Sequence, residues 1–471
     1  MPAQLTINLR KAACSLRILI VGGSIAGLAC AFTLQRAGHK VTILERSSGK
    51  ARSHGGLRSP PNMTRVLNHW GLDLSKIATK CTAFVFNEPG GAMMGLVQLH
   101  EEFLKDLMAS FVFIQHGDLY DLLLGLATRE GADIRYDCPV ASVDCDTLTV
   151  MLATGERMSA DLIVGADGPA SMVRNAVVGQ PITGSPDGHH SLTLSIPTEL
   201  MRNDEELRPL CEDGNWWVWL GSSTLIHGSL VNSRKEFSIV IGLQGVSQAT
   251  LDKYDESWDK QYPIEQFGID FSTFDIRVQK LMKLGRQATP TVHIKRPILE
   301  SCVCDRARVV IVGEAAHPLV PAGQHNTGLT IEDAETLGAL FSRIQHPSQI
   351  SRMLAAYEEI RQPRCNYAQD WELRKRKLIT EPFGPEQKAR DAGIRRMMLY
   401  NDWEHIDETR FREMWGDEME MFSYFATERV DDWWTKWGSL LARNTGKPDV
   451  PLTPTVEVSI SSGSPLSAVV Y

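Results

Sequence analysis

One stretch constrains this chain more than any other: Ile18 to Glu45, reading ILIVGGSIAGLACAFTLQRAGHKVTILE. An apolar run (Ile18 to Val21) suits a buried parallel strand, a glycine turn (Gly22, Gly23, Ser24, Gly27) opens a helix, and a second apolar strand (Val41 to Leu44) ends in an acid. Such a turn leaves free N–H groups at a helix N-terminus, where a pyrophosphate is stabilised, and Glu45 can accept from ribose hydroxyls. Three glycines between two strands, with an acid eighteen residues after the last, predict an adenine-dinucleotide site. A core turn that merely needs small residues leaves the acid unexplained. Ser24 stands where the fingerprint usually has its second glycine. Serine is the mildest replacement there, because its hydroxyl can itself donate to phosphate.

At 471 residues, with 43% hydrophobic and 23% charged, the chain is expected to form two or three domains of an ordinary globular enzyme. A net charge of -8 argues against nucleic acid or an anionic membrane surface as partner. No run of eighteen or more apolar residues is present to span a bilayer. The nine cysteines have neither disulfide nor metal spacing, since Cys302-Val-Cys304 lacks a second pair, so reduced thiols and a cytosolic location are expected. The first sixteen residues carry Arg10 and Lys11 without an acid, a weak targeting signal, but have no signal-peptide apolar core.

The expected fold class is α/β (α+β overall), with interleaved domains. A Rossmann-type dinucleotide domain is assigned to 17–75, 106–180 and 295–384, and an antiparallel-sheet substrate domain to 76–105 and 181–294, where NWWVWLG and FSIVIGL alternate as strands do. Residues 1–16 form an extension and 385–443 a Trp-rich helical region. Residues 444–471, rich in Pro, Ser, Thr and Val, suit a poorly ordered tail.

Two further segments carry chemistry. In ADLIVGADGPASMVR (Ala160 to Arg174) an apolar strand runs into Asp167-Gly168, and RVVIVGEAAHPLVPAGQHNTGLTIEDA runs from Arg308 to Ala334. With the glycine turn, their order resembles the single-component FAD aromatic monooxygenases, the group of p-hydroxybenzoate and salicylate hydroxylases. The fungal salicylate-hydroxylase-like branch is most similar, on YEEIRQPR (Tyr357 to Arg364), GPEQKARD (Gly384 to Asp391) and DDWWTKWG (Asp431 to Gly438). The resemblance covers roughly residues 17 to 442.

The resemblance implies non-covalent FAD, with Gly22, Ser24 and Gly27 at the pyrophosphate and Glu45 and Arg46 at the adenosine end. It places Asp167 and Gly168 in the motif serving both the pyrophosphate and a visiting NADH or NADPH. Gly313 and Glu314 fall at the Gly-Asp position that binds the ribityl chain, with a glutamate for the family's aspartate. His116, in QHGDLYDLLL, stands where the family often has an arginine at the flavin, which removes a guanidinium anchor. A helix opened after the His317-Pro318 loop would point N–H groups at the flavin ring and favour negative charge there.

The implied activity is hydroxylation of an aromatic or phenolic substrate, with or without decarboxylation, by NAD(P)H and O2 through a flavin hydroperoxide. His317, Pro318 and His227 are candidates for catalysis, weighed against a helix-start role for His317. Trp217 and Trp219 share one face of a strand and are candidates for an aromatic substrate wall, weighed against a plain core role. Three rivals stand beside this reading: an alkene epoxidase, a flavin-fold binding module or cyclase without redox turnover, and a flavin halogenase. The last rests on Trp217-Val-Trp219, which resembles part of the halogenase Trp-x-Trp signature, although Leu220-Gly221 follows where that family has Ile-Pro.

Overall fold

The computed structural model describes residues 10–53, 55–245, 260–320, 323–397 and 408–438, so the expected tail at 444–471 and the first nine residues of the extension lie outside it. The strand Arg17–Val21 is the centre of a five-stranded sheet. Lys40–Leu44 and Asp133–Arg135 lie on one side of it, Leu162–Gly165 and Val309–Ile311 on the other, and every pairing is parallel. Strands covered on both faces are apolar, as Ile18–Val21, Leu162–Gly165 and Val309–Ile311 are, whereas the edge strand Asp133–Arg135 is short, charged and half exposed.

The helix Ile25–Arg36 is buried from Ile25 to Leu34 except at Ala26, because it packs against the helices His116–Arg129 and Asn326–Phe341 as well as its own sheet. A helix covered on all sides needs no polar stripe, and this one has little. Its contact with Asn326–Phe341 is close: a Cβ at Gly338 would meet the Thr33 Cβ at 2.5 Å, and the Thr33 hydroxyl donates to the Ala334 carbonyl at 2.8 Å.

The second large sheet has eight strands. Ser185–Pro197, Glu236–Gln244, Thr224–Val231 and Trp216–Leu220 form its antiparallel centre, and Ala83–Asn87 with Met93–Gln98 complete one edge. One pairing departs from the all-antiparallel expectation. Trp216–Leu220 lies parallel to Ala83–Asn87, an arrangement open to strands joined by a long excursion rather than a hairpin. Alternation gives the sheet two distinct faces. Trp219, Ile226, Leu230, Phe237, Ile239 and Ile241 cluster with Val278, Leu281 and Met282 of the helix Ile276–Leu284. The other face carries Trp216, His227, Ser238 and Val240 and turns toward the dinucleotide half, where the Ser238 hydroxyl accepts from the Gly56 N–H at 2.8 Å.

The helix Ile350–Ile379 links the two halves. Its 30 residues reach about 45 Å at the usual rise per residue. Its first half holds a buried ion network. Arg361 donates to Asp333 and Glu332 at 2.8 Å each, and Arg364 donates to Glu332 at 3.0 Å. Asn62 adds a 2.8 Å bond to Glu332, and the Tyr424 hydroxyl, between the helices Glu408–Phe422 and Ala426–Trp433, accepts from Arg361. The two motifs IEDA and YEEIRQPR therefore meet in space. Among the described residues no helix is long and apolar enough to cross a membrane.

Candidate active site

The cradle is built from backbone. Gly22 has φ +105°, and a Cβ there would lie 2.3 Å from the Ala166 carbonyl oxygen, so only glycine lets the turn pass the end of the strand Leu162–Gly165. A Cβ at Gly27 would lie 1.9 Å from the Gly22 oxygen, which locks the helix start onto the turn. Ser24 is the extended N-cap, exposed, and its hydroxyl makes no capping bond, which leaves it available to a ligand. Glu45 stands across the turn, accepting from Gly23 N–H at 2.7 Å and Ser47 N–H at 2.8 Å, with Arg46 exposed beside it.

Gly168, at φ +78°, and Glu314 come to the same cavity as Ser24. Asp167 does not stand free: it accepts from the Met172 and Val173 N–H groups at 2.8 and 3.1 Å and from the Ser171 hydroxyl, capping the helix Met172–Val178. Gly313, at φ +58°, donates its N–H to Asp333 at 2.8 Å. Arg174, the last residue of the segment ADLIVGADGPASMVR, ties the two motifs together. Its guanidinium donates to the Ala315, Glu314 and Pro169 carbonyls at 2.6, 2.7 and 2.8 Å. The available signal was a single arginine among the apolar positions of a short helix, MVRNAVV.

Burial raises the Glu314 carboxyl above the usual range, against the pull of His317 and Arg174. Burial pushes His116 down to about 4, leaving a neutral ring in the cavity wall with Nδ1 unpartnered. Asn326 Oδ1 is likewise buried without a partner at the first turn of the helix Asn326–Phe341. A cradle that a Cβ would fill, unpaired polar atoms around it and a helix N-terminus are what a dinucleotide's pyrophosphate and flavin require.

The cavity has a volume of about 270 Å³ and extends from Ser24 to Arg58 and Val240 on the inner sheet face. Arg58 lies 5.0 Å over the Trp216 ring and 3.1 Å from His227 Nε2. Burial lowers Arg58 to about 10, and Arg376 adds to this while Glu372 opposes it. His227 is held well below the ordinary histidine value by burial and by Arg58 and Arg376. Its ring is therefore neutral, with Nε2 accepting from Arg58.

Other candidates fall elsewhere. Trp217 and Trp219 turn away from the cavity: they stack on each other at 6.4 Å under the Arg277 guanidinium, and Trp219 Nε1 donates to Asp275 at 2.7 Å. They do not line the cavity, and Trp216 lies on the opposite face of the strand, under the Arg58 guanidinium. The physical reason is register. The hairpin pairs Val218 with His227, so His227 shares a face with Trp216 and Val218 and not with Trp217 or Trp219. His317 is committed to Asp333 at 2.6 Å and is 8% exposed. Burial opposes its charge, but the Cys365 sulfur and the Asp333 carboxylate hold it well above its ordinary value, and this fixes the loop instead of leaving a base in the cavity. His317 and Pro318 are not among the residues lining the cavity.

Comparison with known proteins agrees with this geometry. A family model described as FAD binding domain matches residues 15–372. FAD-dependent monooxygenase OpS4 of Beauveria bassiana is 26% identical over 391 residues, 80% of this chain and 89% of the relative. Hispidin-3-hydroxylase of Neonothopanus nambi is 28% identical over 371 residues, 75% and 86% of the two chains. A salicylate hydroxylase substrate complex superimposes with a TM-score of 0.68 at 18% identity, covering 88% of this chain and 97% of that one, which shows the fold. The cradle, the cavity and the family match lead to one conclusion: the chain belongs to the FAD binding domain family of flavin-dependent monooxygenases.

Proposed function

We propose that this protein is a single-component monooxygenase that takes NADH or NADPH and O2 and hydroxylates an electron-rich, phenolic ring held on the inner sheet face. The balance is ArH + O2 + NAD(P)H + H+ giving ArOH + H2O + NAD(P)+. The observation that carries this reading is a single cavity, with the dinucleotide cradle (Ser24, Gly168, Glu314) at one end and Arg58 at the other, beside His227 and Trp216. Hispidin-3-hydroxylase, whose name implies an aromatic substrate, supports the substrate class.

In this reading Gly22, Ser24 and Gly27 hold the pyrophosphate, Glu45 and Arg46 the adenosine end, and Gly313 and Glu314 the ribityl chain. Asp167 fixes Gly168 through the helix that it caps. Bound FAD supplies the redox chemistry with O2. The chain orients and shields. The helix Asn326–Phe341 turns its N-terminus to the cavity and favours negative charge there, and Trp216 backs the Arg58 guanidinium that lines the other end. His227, neutral and accepting from Arg58, orients the guanidinium that lines this end of the cavity toward a substrate oxygen. A nicotinamide cofactor visits without a second glycine fingerprint of its own. The reading includes a cytosolic place of work, supported by nine cysteines that are all free.

The test is oxidation of NADH and of NADPH by the FAD-loaded protein against a panel of phenols, hydroxybenzoates and alkene-bearing phenols. Labelled O2 and mass spectrometry then follow any that stimulate turnover. One labelled oxygen atom in a ring-hydroxylated product is expected; a stimulated reaction that yields only hydrogen peroxide across the panel overturns the reading.

A further inference from the structure

The strands Ser185–Pro197 and Gln287–Lys295 pair antiparallel, and their register breaks at one place. Pro186 faces Ile294 and His190 faces Val292, so the single residue His293 stands opposite Asp187, Gly188 and His189. The extra residues form a bulge, and Gly188, at φ +82°, supplies the left-handed backbone that folds it. In the sequence this bulge is the short run DGHH, Asp187 to His190.

The bulge gathers three side chains. Asp187 stands between two imidazoles, with Oδ2 2.7 Å from His293 Nδ1 and Oδ1 3.2 Å from His189 Nδ1. One ligand atom from each of the three residues lies within 4.8 Å of the other two. A tetrahedral zinc ion with bonds of about 2.0 to 2.1 Å holds its ligand atoms about 3.4 Å apart, so only a small movement separates this cluster from such a site. His293 is buried, whereas the Asp187 and His189 side chains are each 18% exposed, which leaves an entry path and room for a water as fourth ligand.

A bulge that merely closes on itself explains part of this. Asp187 accepts from the His189 N–H at 3.0 Å, as in an Asx turn, and from the His293 ring. It leaves His189 unexplained, because the Nδ1 of that ring is buried beside the same carboxylate and makes no hydrogen bond. Charge then selects the ion. The Arg376 guanidinium acts on both Asp187 and His293 and offsets the one carboxylate. Binding has to come from the imidazoles rather than from net negative charge, which disfavours Mg2+ and Ca2+ and favours zinc and its transition-metal neighbours.

We propose that Asp187, His189 and His293 form a binding site for a divalent transition-metal ion, zinc above all, which joins the two strands across the bulge. The site stands apart from the monooxygenase reading, since none of the three residues lines the cavity. The ion acts as a clasp and takes no part in electron transfer.

The experiment uses the FAD-loaded full chain without an affinity tag, freed of metal by dialysis against a chelator. Zn2+ is titrated against a chromophoric competitor, Mg2+ is titrated separately, and melting curves are recorded with each ion. One Zn2+ per chain should bind in the low micromolar range or tighter and raise the melting temperature by mass action, and excess Mg2+ should do neither. Asp187→Asn and His293→Asn should each weaken zinc binding by about tenfold or more, since even the partners of metal ligands are worth that much. His189→Gln guards against a variant that fails to fold: its Nδ1 has no hydrogen bond to lose, so the metal-free melting curve should stay unchanged while zinc binding falls. Absence of zinc binding by the unaltered protein overturns the proposal, as does Mg2+ binding of equal strength. Stoichiometric zinc that survives in His189→Gln and His293→Asn overturns it too, because the ion then sits on other residues.

Discussion

The two ends of the cavity are made of different material. The cradle end is backbone. Gly22 and Gly27 act by what they lack, the Cβ positions being 2.3 and 1.9 Å from carbonyl oxygens, and the ligand-facing groups are N–H donors fixed by a helix start. The inner end is side chain: Arg58 lines it, with Trp216 under its guanidinium and His227 3.1 Å away on separate segments. A backbone site tolerates little change, because one added carbon has nowhere to go. A side-chain site can be retuned residue by residue while the cofactor stays bound, which suits a family whose relatives include a hispidin hydroxylase and other monooxygenases.

The largest expected effect lies at the joint between the ends. Arg361 is 2% exposed and bonded to both Glu332 and Asp333, and Asp333 also holds Gly313 and His317. Arg361→Met removes the guanidinium that Glu332 and Asp333 share, leaving Glu332 with Arg364 and Asp333 with His317, which puts the cost near the low end of the about 3 to 5 kcal/mol of a broken buried pair. The urea midpoint should fall accordingly, and FAD affinity should fall with it because Asp333, which holds the Gly313 N–H, loses its bond from Arg361. A normal midpoint in this variant would mean that the two ends are not mechanically joined through the network.

Next comes the cradle itself. Gly27→Val should weaken FAD binding at least a hundredfold, about 2.8 kcal/mol, since the helix start must move away from Gly22. Titration of apoprotein with FAD reads this, with a melting curve to separate loss of the site from loss of the fold. His227→Gln is the contrasting variant at the inner end: FAD affinity stays within about twofold, under 0.5 kcal/mol, while turnover of any phenolic substrate falls. If both variants lose FAD equally, the contrast between backbone and side-chain construction is wrong.

The same contrast explains what could be read from the sequence. The turn, its strands and Glu45 lie within one continuous segment whose spacing is set by local geometry, so Gly22, Ser24 and Gly27 come together as expected. The inner end depends on how distant strands pair and on which way each alternation starts. Trp217 and Trp219 share parity, but parity alone cannot tell which face meets the cavity; the pairing of Val218 with His227 decides it. Trp216 carried no separate signal. Arg58 and Arg376, separated by more than three hundred residues, meet only because the helix Ile350–Ile379 crosses from one half to the other.

A smaller effect is expected at Glu314, which belongs to both kinds of construction: a side chain, yet on the cradle rim. Its burial raises its carboxyl pKa, and a ribityl hydroxyl would satisfy it as donor. Glu314→Ala removes that partner and should cost about 1 to 3 kcal/mol, a ten- to hundredfold loss in FAD affinity. Glu314→Asp restores the family's shorter acid and should recover most of it. Unchanged affinity in Glu314→Ala, with an unchanged melting curve, would place the ribityl contact elsewhere.

The smallest expected effect is at Ser24, and it tests the comparison most sharply because Ser24 is the one side chain in a turn made of glycines. The residue is exposed at the helix N-cap, its backbone is extended rather than left-handed, and its hydroxyl serves no cap. Nothing in the backbone there demands glycine, in contrast with Gly22 at φ +105°. Ser24→Gly should therefore change FAD affinity by no more than about tenfold, about 1.4 kcal/mol, the worth of one hydroxyl donated to phosphate less the flexibility gained. Ser24→Leu should behave like the glycine-cradle variants and abolish binding, because a branched side chain would occupy the volume that phosphate needs. A leucine variant with full affinity would show that the pyrophosphate does not cross this turn; a glycine variant that loses FAD entirely would show that the hydroxyl, and not the N–H groups, carries the anion, and the distinction between a backbone end and a side-chain end would fail at its strongest point.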